Sequence, residues 1–288
     1  MKTSRQLLNS LVILSCLLVI LASGCSRSQK ALQIKGSDTM VNLAQAWAEQ
    51  YMNLHPETAI AVTGGGSGTG IAAIISNATD IAQCSRNIKE KEVKQAEKNC
   101  VHPVEWHVAN DGVAIAVHPA NPVSKLTIKQ LSDIFTGKVK NWQQLGGENK
   151  RIVALSRERN SGTHVFFLEE VVKLGQKKNP NEFDASVLMM PSSQAIIEEI
   201  AANRTAIGYI GLGYMTKREK AVAVARRDGE QYVLPTIKSV INRQYPISRS
   251  LLFYTNGTPS GEVKSFIDFV FSKAGQEIVR KMDFVPIR

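Results

Sequence analysis

The sequence predicts an α/β fold of two interleaved domains with a cleft between them, and three observations support this prediction. Short apolar runs alternate with segments of helical spacing, a pattern typical of parallel sheets covered by helices. The alternation occurs once before residue 100 and again between residues 112 and 210. No long Gly/Ser linker separates the two parts, so we expect the chain to cross between domains, with a small-ligand cleft where they meet.

The first α/β unit follows residue 31. Its first helix is predicted over 40–54, because apolar side chains recur there at helical spacing and His55-Pro56 ends the pattern. Short apolar runs bounded by Gly, Pro or polar clusters are predicted as strands. In order, the unit contains strand 32–34, helix 40–54, strand 59–63, helix 71–75, strand 80–84 and helix 89–98.

The second unit follows the same alternation, and Ser192-Ser193 supplies a favoured N-cap for one of its helices. Its elements are strand 112–118, helix 128–135, strand 151–155, helix 162–174, helix 193–202 and strand 206–210, followed by strand 251–255 and helices 260–271 and 274–282. We expect the chain to cross near Asn110 and to return near Pro246. Domain I is then 31–109 plus 247–288, with the C-terminal helices packed on it, and domain II is 110–246.

The first 24 residues are typical of a bacterial lipoprotein signal peptide. Lys2 and Arg5 precede an apolar run over 11–22, which is too short for a comfortable membrane span. Small residues then lead to Cys25, the predicted lipidation site, and a polar tether completes residues 25–30. An ordinary signal peptide or a marginal membrane anchor would also fit. Each alternative exports the protein, and we expect a lipoprotein anchored on the periplasmic or outer face of a bacterial cell membrane.

Composition excludes several classes of function. The 288 residues are 43% hydrophobic and 21% charged, which is typical of a globular chain. The formal net charge is +10, and the basic residues are dispersed without interleaved aromatic residues, which argues against nucleic-acid binding. With five histidines and no close His/Cys cluster, the sequence predicts no metal site. The positive charge either attracts anions to a site or belongs to a solvated face.

Two cysteines, Cys84 and Cys100, remain outside the leader. In an oxidising compartment they could form a disulfide. Their separation permits the bond but does not supply its geometry. A disulfide and two free, buried thiols therefore stay open as alternatives.

Two strand-to-helix turns in the first unit carry polar residues suited to anions. Ser37, Asp38 and Thr39 form the first turn, where they could equally act as helix N-caps. The second is the glycine-rich turn over 64–70, in which Ser67 and Gly68 offer O–H and N–H donors. Ile71 stands where a P-loop would have its lysine, and the turn also lacks the dinucleotide-binding spacing. A tight structural turn is the alternative.

The third turn lies in the second unit, again between a strand and a helix. Ser161, Gly162 and Thr163 present backbone N–H and hydroxyl donors, and Arg157 adds a guanidinium that suits tetrahedral oxyanions. The unsatisfied N–H groups of a helix N-terminus attract negative charge. Three such turns in one exported chain indicate an anion site, provided that the fold brings them together.

These stretches resemble a known family, the phosphate-binding proteins of ABC phosphate importers, a branch of the periplasmic binding protein superfamily. The resemblance covers about residues 32–282. The matching segments are GSDT (36–39), GGGSGTG (64–70), DIAQCSR (80–86), DGVAIAVHPANPV (111–123), IFTGKVKNWQQLGG (134–147), SRERNSGT (156–163) and GYIGLGY (208–214). The family's fold implies two α/β lobes of the type II arrangement, a central cleft and two crossing strands.

The resemblance also implies a function and a set of ligands. It implies high-affinity capture of inorganic phosphate by cleft closure and delivery to a membrane permease, without catalysis, and we expect a monomer without cofactor. In the family, the residues matching Thr39, Ser67, Arg157, Ser161, Gly162 and Thr163 hold phosphate. Some members have an aspartate that accepts the phosphate proton where this chain has Ser85, and this chain looks like the branch in which Ser85 and Arg86 both contact the anion.

Because this chain has Ser85 where some members have an aspartate, the identity of the preferred anion stays open. Asp38 and Asp111 are the remaining candidate acceptors for a phosphate proton. Without such an acceptor the cleft would discriminate less among phosphate, sulfate, molybdate and tungstate. A phosphoesterase is the other alternative, with His164 directly after the third turn as its nearest base.

Overall fold

A computed structural model describes residues 31–287, in which ten strands and nine α-helices alternate along most of the chain. The strands are β1 (Leu32–Gly36), β2 (Ile60–Thr63), β3 (Ile81–Cys84), β4 (Pro103–Val117), β5 (Lys125–Thr127), β6 (Val153–Arg157), β7 (Leu188–Met190), β8 (Ala206–Gly211), β9 (Lys220–Ala225) and β10 (Ser248–Asn256). The helices are α1 (Val41–Leu54), α2 (Ser67–Ile75), α3 (Glu90–Lys98), α4 (Ile128–Phe135), α5 (Gly162–Phe167), α6 (Ser193–Ala202), α7 (Ile237–Ile241), α8 (Gly261–Phe271) and α9 (Lys273–Lys281).

The strands pair in the order β2-β1-β3-β10-β4-β8-β6-β7, and β9 pairs with β4 and β5. The long strand β4 belongs to both halves of this arrangement. Its residues 103–112 pair antiparallel with β10, whereas residues 113–117 pair with β8. We refer to β1–β3 with their helices as the first lobe and to β5–β9 with theirs as the second. The predicted α/β class is confirmed, and the predicted boundaries at residues 110 and 246 stay a prediction.

One buried apolar cluster joins the two lobes, reaching from Trp47 on α1 to Ile200 on α6, and another lies mainly in the second lobe. In the first lobe, α1 buries Trp47, whose indole N–H donates to the Gly275 carbonyl at 2.8 Å, so α9 packs against α1. In the second lobe, the rings of Phe167 and Tyr209 stack with centroids 3.8 Å apart. The cores fix the sheet ends, and thus fix where the turns that follow β1, β3 and β6 point.

Several elements differ from their predicted bounds. Helix α2 begins at Ser67, four residues before the predicted start at residue 71, because the glycine-rich turn is itself helical from that residue onward. Its N-cap Gly66 has φ +93°, a conformation that favours glycine. The helix predicted over 162–174 changes at Leu168 into a π-helical turn, and β4 begins nine residues earlier than predicted. Strands β5, β7 and β9 were not predicted.

The structure leaves both Cys84 and Cys100 free, so the alternative of a disulfide between them is wrong. Cys84 is fully buried on β3 beneath α2, and burial raises the pKa of its thiol. The alternative of two buried thiols is also wrong, because Cys100 is exposed. It lies in the turn after α3, where its φ is +55°.

The leader predictions concern residues outside the described part of the chain. These are the signal peptide at 1–24, lipidation of Cys25 and the tether that follows it. Within residues 31–287, none of the helices has the length and apolar character needed to cross a membrane.

Candidate anion-binding site

The first predicted turn lies at the end of β1, facing the second lobe. Asp38–Met40 form a short 3-10 helix that continues directly into α1. Ser37 and Thr39 are each 1% exposed, although both side chains are polar. A Cβ on Gly36 would overlap the Gln83 carbonyl, so only glycine lets β1 end this close to β3. The first turn therefore places two hydroxyls inside the molecule.

The second turn brings two more hydroxyls to the same place. The Ser67 hydroxyl accepts a hydrogen bond from the Ser85 N–H at 3.0 Å and lies 3.4 Å from the Ser85 hydroxyl. The Ser37 hydroxyl donates to that of Ser85 at 2.9 Å. Ser67 and Ser85 are both fully buried. Three serines from three separate segments of the first lobe thus form one cluster.

The third turn approaches from the second lobe. The Thr163 hydroxyl lies 2.8 Å from that of Thr39 across 124 residues of sequence. Ser161 caps α5, because its hydroxyl accepts from the N–H groups of Thr163 and His164 at 3.2 and 3.4 Å. Gly162 lies against the serine cluster, since a Cβ there would stand 2.6 Å from the Ser85 hydroxyl and closer still to that of Ser67. All three turns therefore meet.

The glycine-rich turn also makes backbone contact with the second lobe. The Gly68 N–H donates to the Asn160 carbonyl at 2.9 Å, and the Asn160 amide donates to the Gly65 carbonyl at 2.8 Å. Gly68 was predicted as an anion donor. The opposite lobe occupies its N–H, and the predicted anion contact of Gly68 stays a prediction. Asn160 was not among the predicted site residues.

Hydrogen bonding orients the hydroxyls of Ser67 and Ser161. Each hydroxyl has one proton and two acceptor lone pairs. Both oxygens accept from backbone N–H groups, which are donors only, so each keeps its proton to donate. Ser85 likewise accepts from Ser37. The result is a buried group of O–H donors, which suits an anion rich in acceptors.

Arg157 is 1% exposed and lies beside this group. Its Nε donates to the Met190 carbonyl at 3.3 Å and its Nη2 to the Pro191 carbonyl at 2.8 Å. Its Nη1 lies 3.1 Å from both the Ser193 hydroxyl and Asp38 Oδ2. Three of the five guanidinium N–H groups donate hydrogen bonds, Nη1 also faces Asp38 as an ion pair, and one Nη2 N–H remains. Arg157 is held in place by the protein and joins the two lobes through Asp38.

Arg86 is bound by a carboxylate of its own lobe. Its Nη1 and Nη2 bond the two carboxylate oxygens of Glu92, both at 2.8 Å. Burial opposes the charge of Arg86, but the hydrogen bonds and charge of Glu92 outweigh it and raise the Arg86 pKa. Glu92 also accepts from the Lys89 N–H at the start of α3. The predicted contact of Arg86 with the anion stays a prediction: a helix-capping carboxylate holds its Nη groups, and its buried Nε lacks a partner within residues 31–287.

Arg249 was missed by sequence reasoning. It lies on β10 directly opposite Asp111 on β4, and its Nη2 and Nε bond Asp111 Oδ2 at 2.8 and 3.1 Å. Asp111, a candidate proton acceptor, is therefore committed to an ion pair, and its Oδ1 accepts from the Leu212 N–H at 3.0 Å. Burial raises the pKa of Asp111, while Arg249 opposes that shift. No local signal marks this pair, because both strands carry other polar residues beside Asp111 and Arg249.

His164 does not form the base of a hydrolytic site with Ser161. Its Nδ1 lies 3.1 Å from the Ser156 hydroxyl, which in turn lies 2.5 Å from that of Tyr209. The imidazole stacks on Phe183 at 4.7 Å between centroids. Burial lowers the His164 pKa, which favours the neutral ring. Across residues 31–287, no group of three or more His, Cys, Asp or Glu side chains is placed to hold a metal.

Comparisons with known proteins identify the family of this chain. Residues 22–274 match the model of the PBP superfamily domain. The phosphate-binding protein PstS of Pseudomonas aeruginosa is 32% identical over 283 residues, covering 92% of this chain and 85% of its own length. A Clostridium perfringens protein, solved with bound phosphate and proposed to be a phosphate ABC transporter substrate-binding protein, is 35% identical with a TM-score of 0.80 and covers 90% of this chain and 100% of that one. An ABC-type phosphate transport receptor from Vibrio cholerae is 30% identical with a TM-score of 0.70, covering 88% and 99%.

Proposed function

The chain belongs to the PstS-like phosphate-binding proteins of the PBP superfamily, and from this premise we propose that its two lobes capture inorganic phosphate for an ABC importer. One observation carries the proposal. Buried hydroxyls from Thr39, Ser67 and Ser85 in the first lobe meet those of Ser161 and Thr163 in the second. The oxygens of Ser67, Ser85 and Ser161 accept from donors of the protein, which leaves their O–H protons to donate to an acceptor-rich ligand.

The proposed ligands come from both lobes. Phosphate oxygens accept from these hydroxyls, from the Gly162 backbone and from the remaining Arg157 N–H, with Ser37 supporting Ser85. Each hydrogen bond to a charged group contributes roughly 1.5–3 kcal/mol net. Four or five of them can offset the cost of ordering and leave about −8 kcal/mol, a micromolar dissociation constant. Because neither lobe holds a full set, binding requires the lobes to come together.

Function here is capture without chemistry. The Ser161 hydroxyl of the third turn is not paired with the His164 ring, because that ring bonds Ser156 and stacks on Phe183. The chain is therefore a binding protein of the importer type rather than an esterase. Its permease partner would receive phosphate when the lobes separate.

A second candidate is a broader oxyanion receptor, and the orientation of the hydroxyls favours it. A phosphate that carries a proton needs an acceptor, whereas sulfate needs donors only. Asp38 is the one predicted acceptor at the meeting of the turns that stays partly accessible, with its side chain 22% exposed. It already forms an ion pair with Arg157 and accepts from the Ser193 N–H at 3.2 Å. Phosphate preference in this chain thus depends on Asp38.

Export and anchoring complete the proposal. The chain works outside the cytoplasmic membrane, tethered through a lipid on Cys25 after removal of residues 1–24, and it acts as a monomer. Replacing Cys25 with Ser should move the protein from the membrane fraction to the soluble fraction. Retention of the variant in membranes would exclude this anchor.

The decisive experiment is calorimetric titration of ligand-stripped protein lacking residues 1–25, first with phosphate and then with sulfate. Every described element lies beyond that cut. We expect a micromolar or tighter constant for phosphate and weaker binding of sulfate. Equal constants would favour the broader receptor. No heat with any tetrahedral oxyanion, from protein shown by circular dichroism to be folded, would contradict the proposed function.

A further inference from the structure

We infer that Arg249 is a positioning residue for anion capture: it sets the first turn and the end of β3 in their binding geometry and couples them to the second lobe. This inference rests on the proposed function. Arg249 is absent from the turns that carry the family resemblance. It is 7% exposed and lies where β10 crosses between the lobes.

The contacts of Arg249 in the first lobe lead to the site. Its Nη1 donates to the Ser85 carbonyl at 3.1 Å. Its Nη2 donates to the Thr39 hydroxyl at 3.4 Å, a long contact. Because guanidinium groups only donate, the Thr39 oxygen acts as acceptor there and keeps its proton for another partner. Arg249 therefore holds two site residues and orients one of the hydroxyls toward the meeting of the turns.

The remaining contacts lead to the second lobe. The guanidinium lies 5.5 Å from the centre of the Phe166 ring on α5, within cation–π range. Through Asp111 it is linked to the Leu212 N–H at the end of β8. One buried side chain thus contacts the elements that carry Thr39 and Ser85 on one side and the helix that begins with Gly162 on the other.

The ion pair of Arg249 with Asp111 is consistent with a role in positioning the site residues rather than in stabilising the fold. A buried ion pair often stabilises a fold no more than apolar residues of similar volume would. Asp111 neutralises Arg249 at 2.8 Å, so Arg249 adds little net field at the anion. Its fork geometry is what the site uses, since one guanidinium reaches Asp111, the Ser85 carbonyl and Thr39 together. A lysine ammonium keeps the charge but loses that planar fork.

The test is a double-mutant cycle on phosphate affinity with Arg249→Lys and Thr39→Val. We expect Arg249→Lys to weaken phosphate binding about tenfold, and the double variant to be weaker than Thr39→Val by clearly less than that factor. Coupling of this kind arises only when two residues act through each other. The matched control is Arg218→Lys, which alters an exposed bidentate pair with Glu198 and should change the constant less than twofold.

The outcomes separate the two proposals. A wild-type protein that binds no oxyanion overturns the proposed function and this inference with it. Wild-type binding with Arg249→Lys within twofold of it overturns the inference alone, as do strictly multiplicative effects in the cycle. If Arg249→Lys fails to fold, the neutral pair Arg249→Gln with Asp111→Asn removes the unpaired charge, and the same tenfold loss is expected of it.

Discussion

Two arginine–carboxylate pairs, Arg157 with Asp38 and Arg86 with Glu92, lie near the same hydroxyl cluster and differ in what they leave free. Arg86 and Glu92 belong to one lobe, six residues apart, and bond through both oxygens at 2.8 Å. Arg157 and Asp38 belong to opposite lobes and share a single contact at 3.1 Å. The first pair is complete within its own loop, whereas the second forms only when the lobes meet.

The difference shows why a basic residue beside a binding turn is not by itself a ligand. Glu92 sits at the third position of α3, where a carboxylate is favoured by the helix N-terminus. Its oxygens therefore lie within reach of Arg86 before any anion is present. Arg157 donates its hydrogen bonds to carbonyl and hydroxyl oxygens, which are neutral. Its positive charge is therefore compensated through a single contact with Asp38. We therefore expect Arg157 to be the better anion ligand.

The largest expected effect on phosphate affinity comes from the contact of Gly162 with the serine cluster. In Gly162→Ala, the new methyl group would stand 2.6 Å from the Ser85 hydroxyl and nearer to that of Ser67. The turns could then no longer meet, and we expect phosphate affinity to fall at least 100-fold by calorimetry. The control is Gly261→Ala at the start of α8, where the methyl group meets open space and only the +55° φ is strained. Equal affinity in Gly162→Ala and wild type would show that the lobes bind phosphate without this contact.

The two arginines give the next largest effect and compare the pairs directly. Arg157→Ala removes a charged donor worth roughly 1.5–3 kcal/mol, so phosphate affinity should fall at least tenfold. Arg86→Ala removes a side chain that Glu92 already satisfies, and should change affinity less than threefold. Both constants are measured by calorimetry on folded protein. A loss in Arg86→Ala as large as that in Arg157→Ala would mean that its unpartnered Nε contacts the anion.

Asp38→Asn should have a smaller effect, on selectivity. The amide keeps an acceptor oxygen for the Ser193 N–H but removes the negative charge facing Arg157. We expect sulfate to bind more tightly relative to phosphate, by about two- to fivefold, the range typical of one partly exposed charge. Competition titrations at one pH measure the ratio. An unchanged ratio would remove Asp38 as the proton acceptor.

Local sequence signals predicted those parts of the site that depend on a single turn. The hydroxyls of Ser67, Ser161 and Thr163 could be located because each follows a strand and begins a helix. The partners that decide their roles are remote in sequence. Arg249 meets Asp111 across 138 residues, and Asn160 reaches Gly65 across 95. Such contacts depend on how β4 and β10 cross, which no local pattern specifies.

The same reasoning explains the contacts of Arg86 and Gly68 and the exposure of Cys100, which the sequence did not predict. For Arg86, the competing acceptor was visible in the sequence, since Glu92 is typical of a helix start. For Gly68, the competing acceptor is the Asn160 carbonyl of the other lobe, which sequence does not place. Cys84 and Cys100 form no disulfide, because Cys84 is buried on β3 whereas Cys100 is exposed in the turn after α3.

The smallest expected effect is on the pH dependence of stability and concerns His164, whose ring stacks on Phe183. Burial lowers the pKa of its imidazole, so the folded protein takes up this proton less readily than the unfolded chain. The unfolded group titrates near about 6.5. Between the two pKa values the unfolded state binds more protons, and stability is therefore lost as pH falls below about 6.5.

His164→Asn retains a polar partner for Ser156 but cannot titrate. Chemical denaturation of phosphate-free protein from pH 8 to pH 5 should thus show a steeper loss of unfolding free energy in the wild type than in the variant. Parallel curves would indicate that the wild-type imidazole is protonated alike in the folded and unfolded states, and that burial beside Phe183 does not keep it neutral.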